Sequence, residues 1–438
     1  MGLLALALTA GCADDPFDFD SPRSCDPTDE NEWVYGVMSE VYLFADELQA
    51  IDPADYPSPA EMVRAVRVEP DRWSRVSDKS TTEALFQEGA YIGLGYSTRR
   101  DAAGDLVVSF VTEDSPAGQA GLRRGDRIAA IGGLQIAQIE AEDRWSEVLG
   151  EDVPGVRVEL TVDDGVGEST VMLEKEWIGI ATVPIHEILT VADRPVGYVM
   201  FSSFLEPAHD ELDAAFERIA ASGASEVIVD LRYNGGGLLS VAQHLIGLLV
   251  GDVADGKTAY RVEYNDKFSD EDADRKLAHH AGSIPNVDHV VFITTGSTLS
   301  ASELVINAVR PYVQVSVIGG TTGGKPVGSR HFEFCDKVLA PITFQVVNSE
   351  GFGDYFTGLP ADCTVADDLM TPLGDPQESS LAAALTRLET GACPEAPAAD
   401  GVEAAVGFSP GLAARPTAAP LQVLPPRPGA PDELRGVW

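Results

Sequence analysis

The period of the apolar positions changes along the chain, and each change predicts a different kind of structure. Residues 31 to 49, NEWVYGVMSEVYLFADELQ, place Trp33, Val37, Val41, Leu43 and Leu48 at helical spacing. A second helical stretch, AEMVRAVR, follows Pro57-Ser58-Pro59. Together they predict a small helical N-terminal region over 31–90. Over 91–175 the apolar residues alternate in short runs, such as DLVVSFV and VRVELTV, between Gly and Asp turns. That pattern predicts a compact, mostly β domain. From about 196 short apolar runs alternate with helical ones: VGYVMF, then PAHDELDAAFERIAASGA, EVIVDLR, GLLSVAQHLIGLLV, HVVFIT, ASELVINAVRPY and VSVIG. In the first helix Leu212, Phe216, Ile219 and Ala220 share a face, Pro207 stands near the start and Gly223 is the expected C′ residue. Strands alternating with helices imply parallel pairing through right-handed crossovers, so the fold class is multidomain α/β. Residues 255–286 are polar and acidic and read as a surface insertion.

Composition narrows the function classes. The chain has 438 residues and 44% hydrophobic residues, enough for several domains with a sizeable core. Lys+Arg number 30 and Asp+Glu 70, a formal net charge of −40. Nucleic-acid binding rests on neutralising phosphates with basic side chains, so nucleic acid is excluded as a partner. The opening MGLLALALTAGC is shorter than the roughly 20 residues needed to span a bilayer. It fits the apolar region of an export signal. Its ending Leu8-Thr9-Ala10-Gly11-Cys12 resembles a bacterial lipobox, which makes Cys12 the expected lipidation site and a membrane lipid anchor the expected attachment. Residues 1–12 are then a signal, 13–30 an acidic tether, and 396–438, rich in Ala, Pro and Gly, a disordered tail. Cys25, Cys335, Cys363 and Cys393 remain. An even number in an exported chain suggests disulfides, and four cysteines allow three pairings. Cys335 with Cys363 and Cys25 with Cys393 is the favoured one. No C-x-x-C is present, and no metal or organic cofactor is implied.

Motifs that could carry chemistry fall in the β domain and the α/β region. Residues 115–133, SPAGQAGLRRGDRIAAIGG, match the pattern of a PDZ domain. In that pattern Ala117, Ala120 and Leu122 pack a helix on the sheet, Gly125-Asp126 turns the chain, and Ile128 and Ile131 are buried. The preceding loop Ile92-Gly93-Leu94-Gly95 resembles a carboxylate-binding loop, whose N–H groups converge on a peptide C-terminus while the peptide adds to a sheet edge. VDLRYNGGG, residues 229–237, feeds a strand into a Gly-rich turn that suits an oxyanion hole. It lacks the Lys-Ser/Thr ending of a phosphate-binding P-loop. HVVFITTGSTLSASE places serines where a parallel strand ends and a helix begins, the edge at which ligands and catalytic groups gather in such sheets. Capping explains one hydroxyl there, that of Ser302 or Ser300, with Ser302 preferred. A nucleophilic serine needs a base. His186, His209, His244, His279, His280, His289 and His331 are scattered in sequence, and no G-x-S-x-G elbow exists. Lys325 lies in the Gly-rich GGTTGGKPVGSR just after VSVIG, at the same sheet edge. A buried lysine can lose its proton near neutral pH and serve as base.

In this order the motifs resemble those of the C-terminal-processing (tail-specific) serine proteases, over most of residues 31–393. The resemblance implies a protease core of the crotonase/ClpP-like kind over 176–395, behind a PDZ-like domain over 91–175. It implies Ser300, the first serine of Ser-Ala-Ser-Glu, as nucleophile and Lys325, 25 residues on, as base. It implies an oxyanion hole from Gly236 and the N–H of Ala301, with Ser302 and Glu303 as structural residues at the helix start. Protein or peptide substrates follow. One departure stands out: where the family commonly has a glutamine that orients the lysine, this chain has Ser329. Relatives that resemble the retinoid-binding proteins of the eye use the same fold for apolar ligands. A catalytically weak or inactive binder of peptides or apolar ligands is therefore the alternative.

Overall fold

The computed structural model describes residues 16–394. The signal, Cys12 and the tail 396–438 lie outside the described residues. The centre is a six-stranded sheet in the order 185–191, 194–200, 226–230, 289–294, 314–319, 363–364. The first pair is antiparallel and the rest run parallel. Its middle strands, EVIVD and HVVFIT, are buried at every position. This is the signature of strands covered on both faces by crossover helices. Helices Ala208–Ala221, Leu239–Ala254 and Ala301–Val309 supply the cover on one side and Ser379–Thr390 on the other. The first of these buries Leu212, Ala215, Phe216 and Ile219, and Gly223 follows it at φ 78°, as the periodicity predicts.

Residues 255–286 differ from expectation. Thr258–Tyr264 is the second strand of a four-stranded sheet, paired with Ile342–Asn348, and Ala259, Tyr260 and Val262 enter the main core. The alternation in TAYRVEY is what drives it inward; only its flanks are acidic surface.

The N-terminal region is not purely helical. Helices Pro27–Val41 and Pro59–Val66 pack together through Val34, Val37, Met38, Val41, Met62 and Val63. Phe17, in the segment expected to be a tether, is buried in the same cluster and stacks on Phe268. A strand, Arg75–Asp78, then pairs antiparallel with Lys337–Ala340. The region is thereby sewn into the α/β domain.

The PDZ sheet has the order 96–100, 106–111, 127–131, 157–163, 168–174. Ala117, Leu122, Ile128 and Ile131 are buried in its core. Ala120, expected to pack there too, is exposed at the end of the one-turn helix Pro116–Gln119.

The disulfides are Cys25–Cys335 and Cys363–Cys393, which overturns the favoured pairing. The turn between Phe332–Phe334 and Lys337–Ala340 brings Cys335 under the start of the first helix. The 363–364 edge strand brings Cys363 under the last helix. Spacing along the chain carries neither fact.

Candidate active site

The C-terminal ends of the parallel strands open into four loops, 201–207, 231–238, 295–300 and 320–326, and every expected catalytic residue lies on one of them. Loop 295–300 is stitched to loop 231–238. Thr298 Oγ1 donates to the Leu231 carbonyl at 2.8 Å, Leu299 N to Asn234 O at 3.1 Å, and Ser302 Oγ to Asn234 O at 3.0 Å. Asn234 is fully buried and its Nδ2 reaches the Phe201 carbonyl at 2.9 Å. Capping is thus not the role of Ser302, which sits inside the first turn and ties the helix to the Gly-rich turn. The N-cap position belongs to Ser300 itself.

Ser300 holds φ 56° and ψ −116°, a strained conformation for a residue with a side chain. Such strain, of order 1–3 kcal/mol, survives only where the surroundings over-determine it. Here they do. Ser300 N–H donates to Glu303 Oε2 at 2.9 Å. Gly236, at φ 104°, presses against the other side: a Cβ there would stand 2.8 Å from Ser300 Cβ and 2.9 Å from Ala301 N. Ala301 is the first residue of its helix, where N–H groups have no partner within the helix and the dipole favours negative charge. Gly236 N–H donates to Asn234 Oδ1 at 2.9 Å. Among the described residues, no hydrogen bond takes up the Gly237 N–H.

Glu303 also binds the lysine loop, a role the sequence reading missed. Its buried carboxylate accepts from Gly324 N and Lys325 N, each at 2.7 Å, and from Thr322 Oγ1. Ser300 N and Lys325 N converge on the same oxygen, Oε2. The Ser-x-x-Glu spacing of a capping box was the available signal. Burial pushes the Glu303 pKa up, and the four donors oppose that shift.

Lys325 is partly buried, and desolvation pulls its pKa down to about 7. Arg75 adds to the depression, while Asp71 and Glu303 oppose it. Lys325 Nζ stands 5.9 Å from the centre of the Trp73 ring, and Arg72 Nη2 donates to the Gly323 carbonyl at 2.6 Å. Residues 71–75 of the N-terminal region therefore form one wall of the lysine site. Ser329 Oγ, in the strand Val327–Ser329, is buried with no hydrogen-bond partner. It does not hold Lys325.

In the PDZ domain, Ile92 and Gly93 belong to the strand Ala90–Gly93, paired with Glu176–Gly179. Leu94 and Gly95 form the bend that follows. Leu94 is buried, and the Leu94 and Gly95 carbonyls accept from Ala117 N and Thr112 N. The next strand, Tyr96–Arg100, is the edge of the PDZ sheet and leaves one side free for an added strand. Two PDZ arginines meet the α/β domain beside the catalytic loops. Arg99 lies 4.6 Å from the Tyr233 ring centre and reaches Thr295 Oγ1 at 3.4 Å, and Arg124 pairs with Asp367 at 3.2 Å.

A strained serine at a helix N-terminus, a Gly-rich turn packed against it and a lysine with a pKa near neutrality thus gather at one edge of an α/β sheet. Residues 29–75 match the Peptidase S41 N-terminal domain, 104–162 a PDZ domain, and 195–364 Peptidase family S41. Over these residues the chain is similar to peptidase family S41. It is 26% identical over 338 residues to a Staphylococcus aureus protein classed as a CtpA-like serine protease, which covers 76% of this chain and 64% of that protein. It is 26% identical over 278 residues to the carboxy-terminal processing protease CtpA of Bacillus subtilis, covering 62% of this chain and 56% of that protein. The chain thus spans less than two thirds of these relatives' own length. A crystal structure of a Bacteroides fragilis protein assigned to the S41 proteases superposes with a TM-score of 0.65 at 26% identity, over 81% of this chain and 96% of that one.

Proposed function

We propose that this protein is a serine endopeptidase in which Ser300 is the nucleophile and Lys325 the general base. The carrying observation is that a lysine with a pKa of about 7 and a strained serine share one carboxylate, Glu303. Near pH 7 about half of such a lysine is neutral. Neutral Nζ takes the Ser300 Oγ proton as Oγ attacks the scissile carbonyl carbon. The resulting oxyanion is held by Ala301 N–H and by the Gly236–Gly237 turn, worth on the order of 3 kcal/mol per donor. Lysinium then returns the proton to the leaving amine, and water releases the acyl-enzyme by the reverse roles. The second oxyanion donor is a glycine of that turn. The Gly237 N–H is unpartnered among the described residues, and the Gly236 N–H is shared with Asn234 Oδ1.

The substrate is a protein whose C-terminus docks at Ile92–Gly95 and along the free edge of Tyr96–Arg100, before its chain reaches Ser300. Export and attachment through lipidated Cys12 would place it in a bacterial envelope. Its named relatives are bacterial, and among the described residues no helix is long and apolar enough to cross a membrane.

The test is cleavage of an unfolded, C-terminally tailed substrate by wild type, Ser300→Ala and Lys325→Ala. Both variants should lose about 10⁴-fold in rate. Wild-type rates from Ser300→Ala would sink the assignment. The orphaned Ser329 hydroxyl supports a second reading, a catalytically weak binding protein. That reading takes over if no form cleaves while a labelled tail peptide still binds.

A further inference from the structure

The backbone of the lysine loop is held from several sides, but the lysine side chain is not. Gly323 N donates to Thr298 O at 2.9 Å, and Gly324 N and Lys325 N donate to Glu303. Neither Gly323 nor Gly324 has room for a Cβ, which would run into the Leu299 side chain and the Phe356 carbonyl respectively. Among the described residues, no hydrogen bond or ion pair reaches Lys325 Nζ, and the Ser329 hydroxyl leaves it alone. A lysine head rides on a flexible four-carbon stem, so it needs a contact to stay beside Ser300. The contact it makes is to an indole. Nζ stands 5.9 Å from the centre of the Trp73 ring, within cation–π range.

Trp73 belongs to the N-terminal region, in the stretch Asp71-Arg72-Trp73-Ser74-Arg75, and that stretch is rigidly built. Asp71 Oδ1 accepts from Trp73 N at 2.8 Å and from Ser74 N at 3.0 Å, the local turn that an aspartate favours. Asp71 Oδ2 accepts from the Tyr42 hydroxyl at 2.8 Å, which ties the turn to the end of the helix Pro27–Val41. Ser74 Oγ accepts from Ile342 N at 2.9 Å, and Arg67 Nη1 donates to Ser74 O at 3.2 Å. Arg72 then reaches across. Its guanidinium lies 4.9 Å from the Trp73 ring centre, and its Nη2 donates to Gly323 O at 2.6 Å. The N-terminal region thus grips the lysine loop twice, at the backbone through Arg72 and at the side chain through Trp73.

We propose that Trp73 is the positioning residue for Lys325, seating and shielding its amine where a directed hydrogen bond is missing, so that the N-terminal region completes the site. The inference rests on the reading of Lys325 as general base. The half-buried indole keeps water off one side of the amine, and its face accepts the head when that head carries a proton. Shielding outweighs this attraction, since desolvation is the first cause of the lysine's depressed pKa. The charged and titratable groups around the amine are Arg75, Asp71 and Arg72 from the N-terminal stretch, Glu303 from the helix Ala301–Val309, and His331. Arg75 lowers the lysine pKa, and Asp71 and Glu303 raise it. His331 is held down to about 4, by desolvation first, and stays neutral above pH 6. Trimming the indole leaves all five groups in the chain, so a change in the titration of Lys325 reports on Trp73.

The lysine is titrated directly, by trace acetylation with acetic anhydride across the pH range and mass spectrometry of the peptide that holds Lys325. In the wild type its reactivity should rise through a midpoint of about 7. In Trp73→Ala water reaches the amine, and the midpoint should move up toward the ordinary lysine value of about 10.4, with proton binding about 10-fold tighter. On the tailed substrate, kcat of Trp73→Ala should fall about 5-fold at pH 7 and recover by about pH 9, with KM little changed. Trp73→Phe restores an apolar ring and should bring the midpoint and kcat back near wild type. Trp177→Ala, at an exposed tryptophan of the strand Glu176–Gly179, should leave the Lys325 midpoint where it is. Thermal midpoints identify a variant that has failed to fold, and Trp73→Gln, polar and of greater reach than alanine, should move the midpoint in the same direction. A wild-type midpoint near 10.4, an unchanged midpoint in the folded Trp73 variants, or a loss of kcat equal at every pH overturns the proposal. If the midpoint moves as stated while no form cleaves, Trp73 still seats the amine and the peptidase reading is what fails.

Discussion

The two halves of the proposed dyad are held by different physics. The Ser300 half is fixed by directed bonds. Its loop is pinned to Leu231 and Asn234, its own N–H to Glu303, and Gly236 closes the remaining side. The Lys325 half is fixed only at its backbone, through Glu303. Its side chain is governed by a weakly solvating wall of Trp73 and by the charges of Arg75, Asp71 and Glu303, and the nearby Ser329 hydroxyl is left unpaired. In the proposed dyad, geometry would make the nucleophile and environment the base. A nucleophile must be aimed to a fraction of an ångström, whereas a base must first have the right pKa.

That contrast can be broken hardest at Lys325. Lys325→Met should abolish cleavage, by about 10⁴-fold, and yet stabilise the fold at low pH. The sign follows from the depressed pKa. Below about 7 the lysine is charged in both folded and unfolded states, and the folded state bears the full desolvation cost. As pH rises from there to about 10.4, the unfolded value, the cost fades. The gain in thermal midpoint over wild type should therefore be larger at pH 6 than at pH 9, and an equal gain at both would mean the lysine is not desolvated. For the same reason kcat/KM of the wild type should climb with pH through about 7 and then level off.

Next is the serine side. Gly236→Ala drives a Cβ to within 3 Å of Ser300 Cβ and Ala301 N. Cleavage should drop by about 10²–10³-fold, the usual cost of spoiling an oxyanion donor, with kcat carrying the loss. Glu303→Gln touches both halves. It replaces an acceptor of four hydrogen bonds by an amide whose NH₂ faces donors, and should cost about 2 kcal/mol in chemical denaturation. A Glu303→Gln protein of wild-type stability would break the claim that this carboxylate joins the two loops. The smallest effect is expected at Ser329→Gln. An amide reaching Lys325 should raise kcat a few-fold, by giving the base the directed bond it lacks.

Much of this site was legible because parallel α/β sheets gather function at one edge, and each motif declares its place by following a strand. The serine loop, the Gly-rich turn and Lys325 could be placed that way, while the choice of Ser300 and Gly236 within them came from the family resemblance. What was missed came from groups that meet only in three dimensions. Ser302 was read as a cap, but its hydroxyl goes to Asn234, 68 positions away. Glu303 looked like a helix-start residue because its capping role is local, while its bonds to Gly324 and Lys325 are not. The Trp73–Arg75 wall belongs to a region that composition marks only as helical. The cysteine pairing failed for the same reason, since number and spacing do not say which loop lies under which helix. In the PDZ domain the buried Ile128 and Ile131 followed from the match to the PDZ pattern, whereas Ala120, placed inward by the same pattern, is exposed because a single turn of helix has too few residues to fix its inner face.

The Cys25–Cys335 bond joins positions 310 apart, and so closes a covalent ring around the first helices, the whole PDZ domain, Ser300 and Lys325. A single cut anywhere within that ring opens it but releases nothing. A chain clipped within one of its PDZ loops would keep both pieces on one molecule. It would run as one species until a reductant is added. The bond thus makes the chain tolerant of a single internal cut, in places where it stays oxidised.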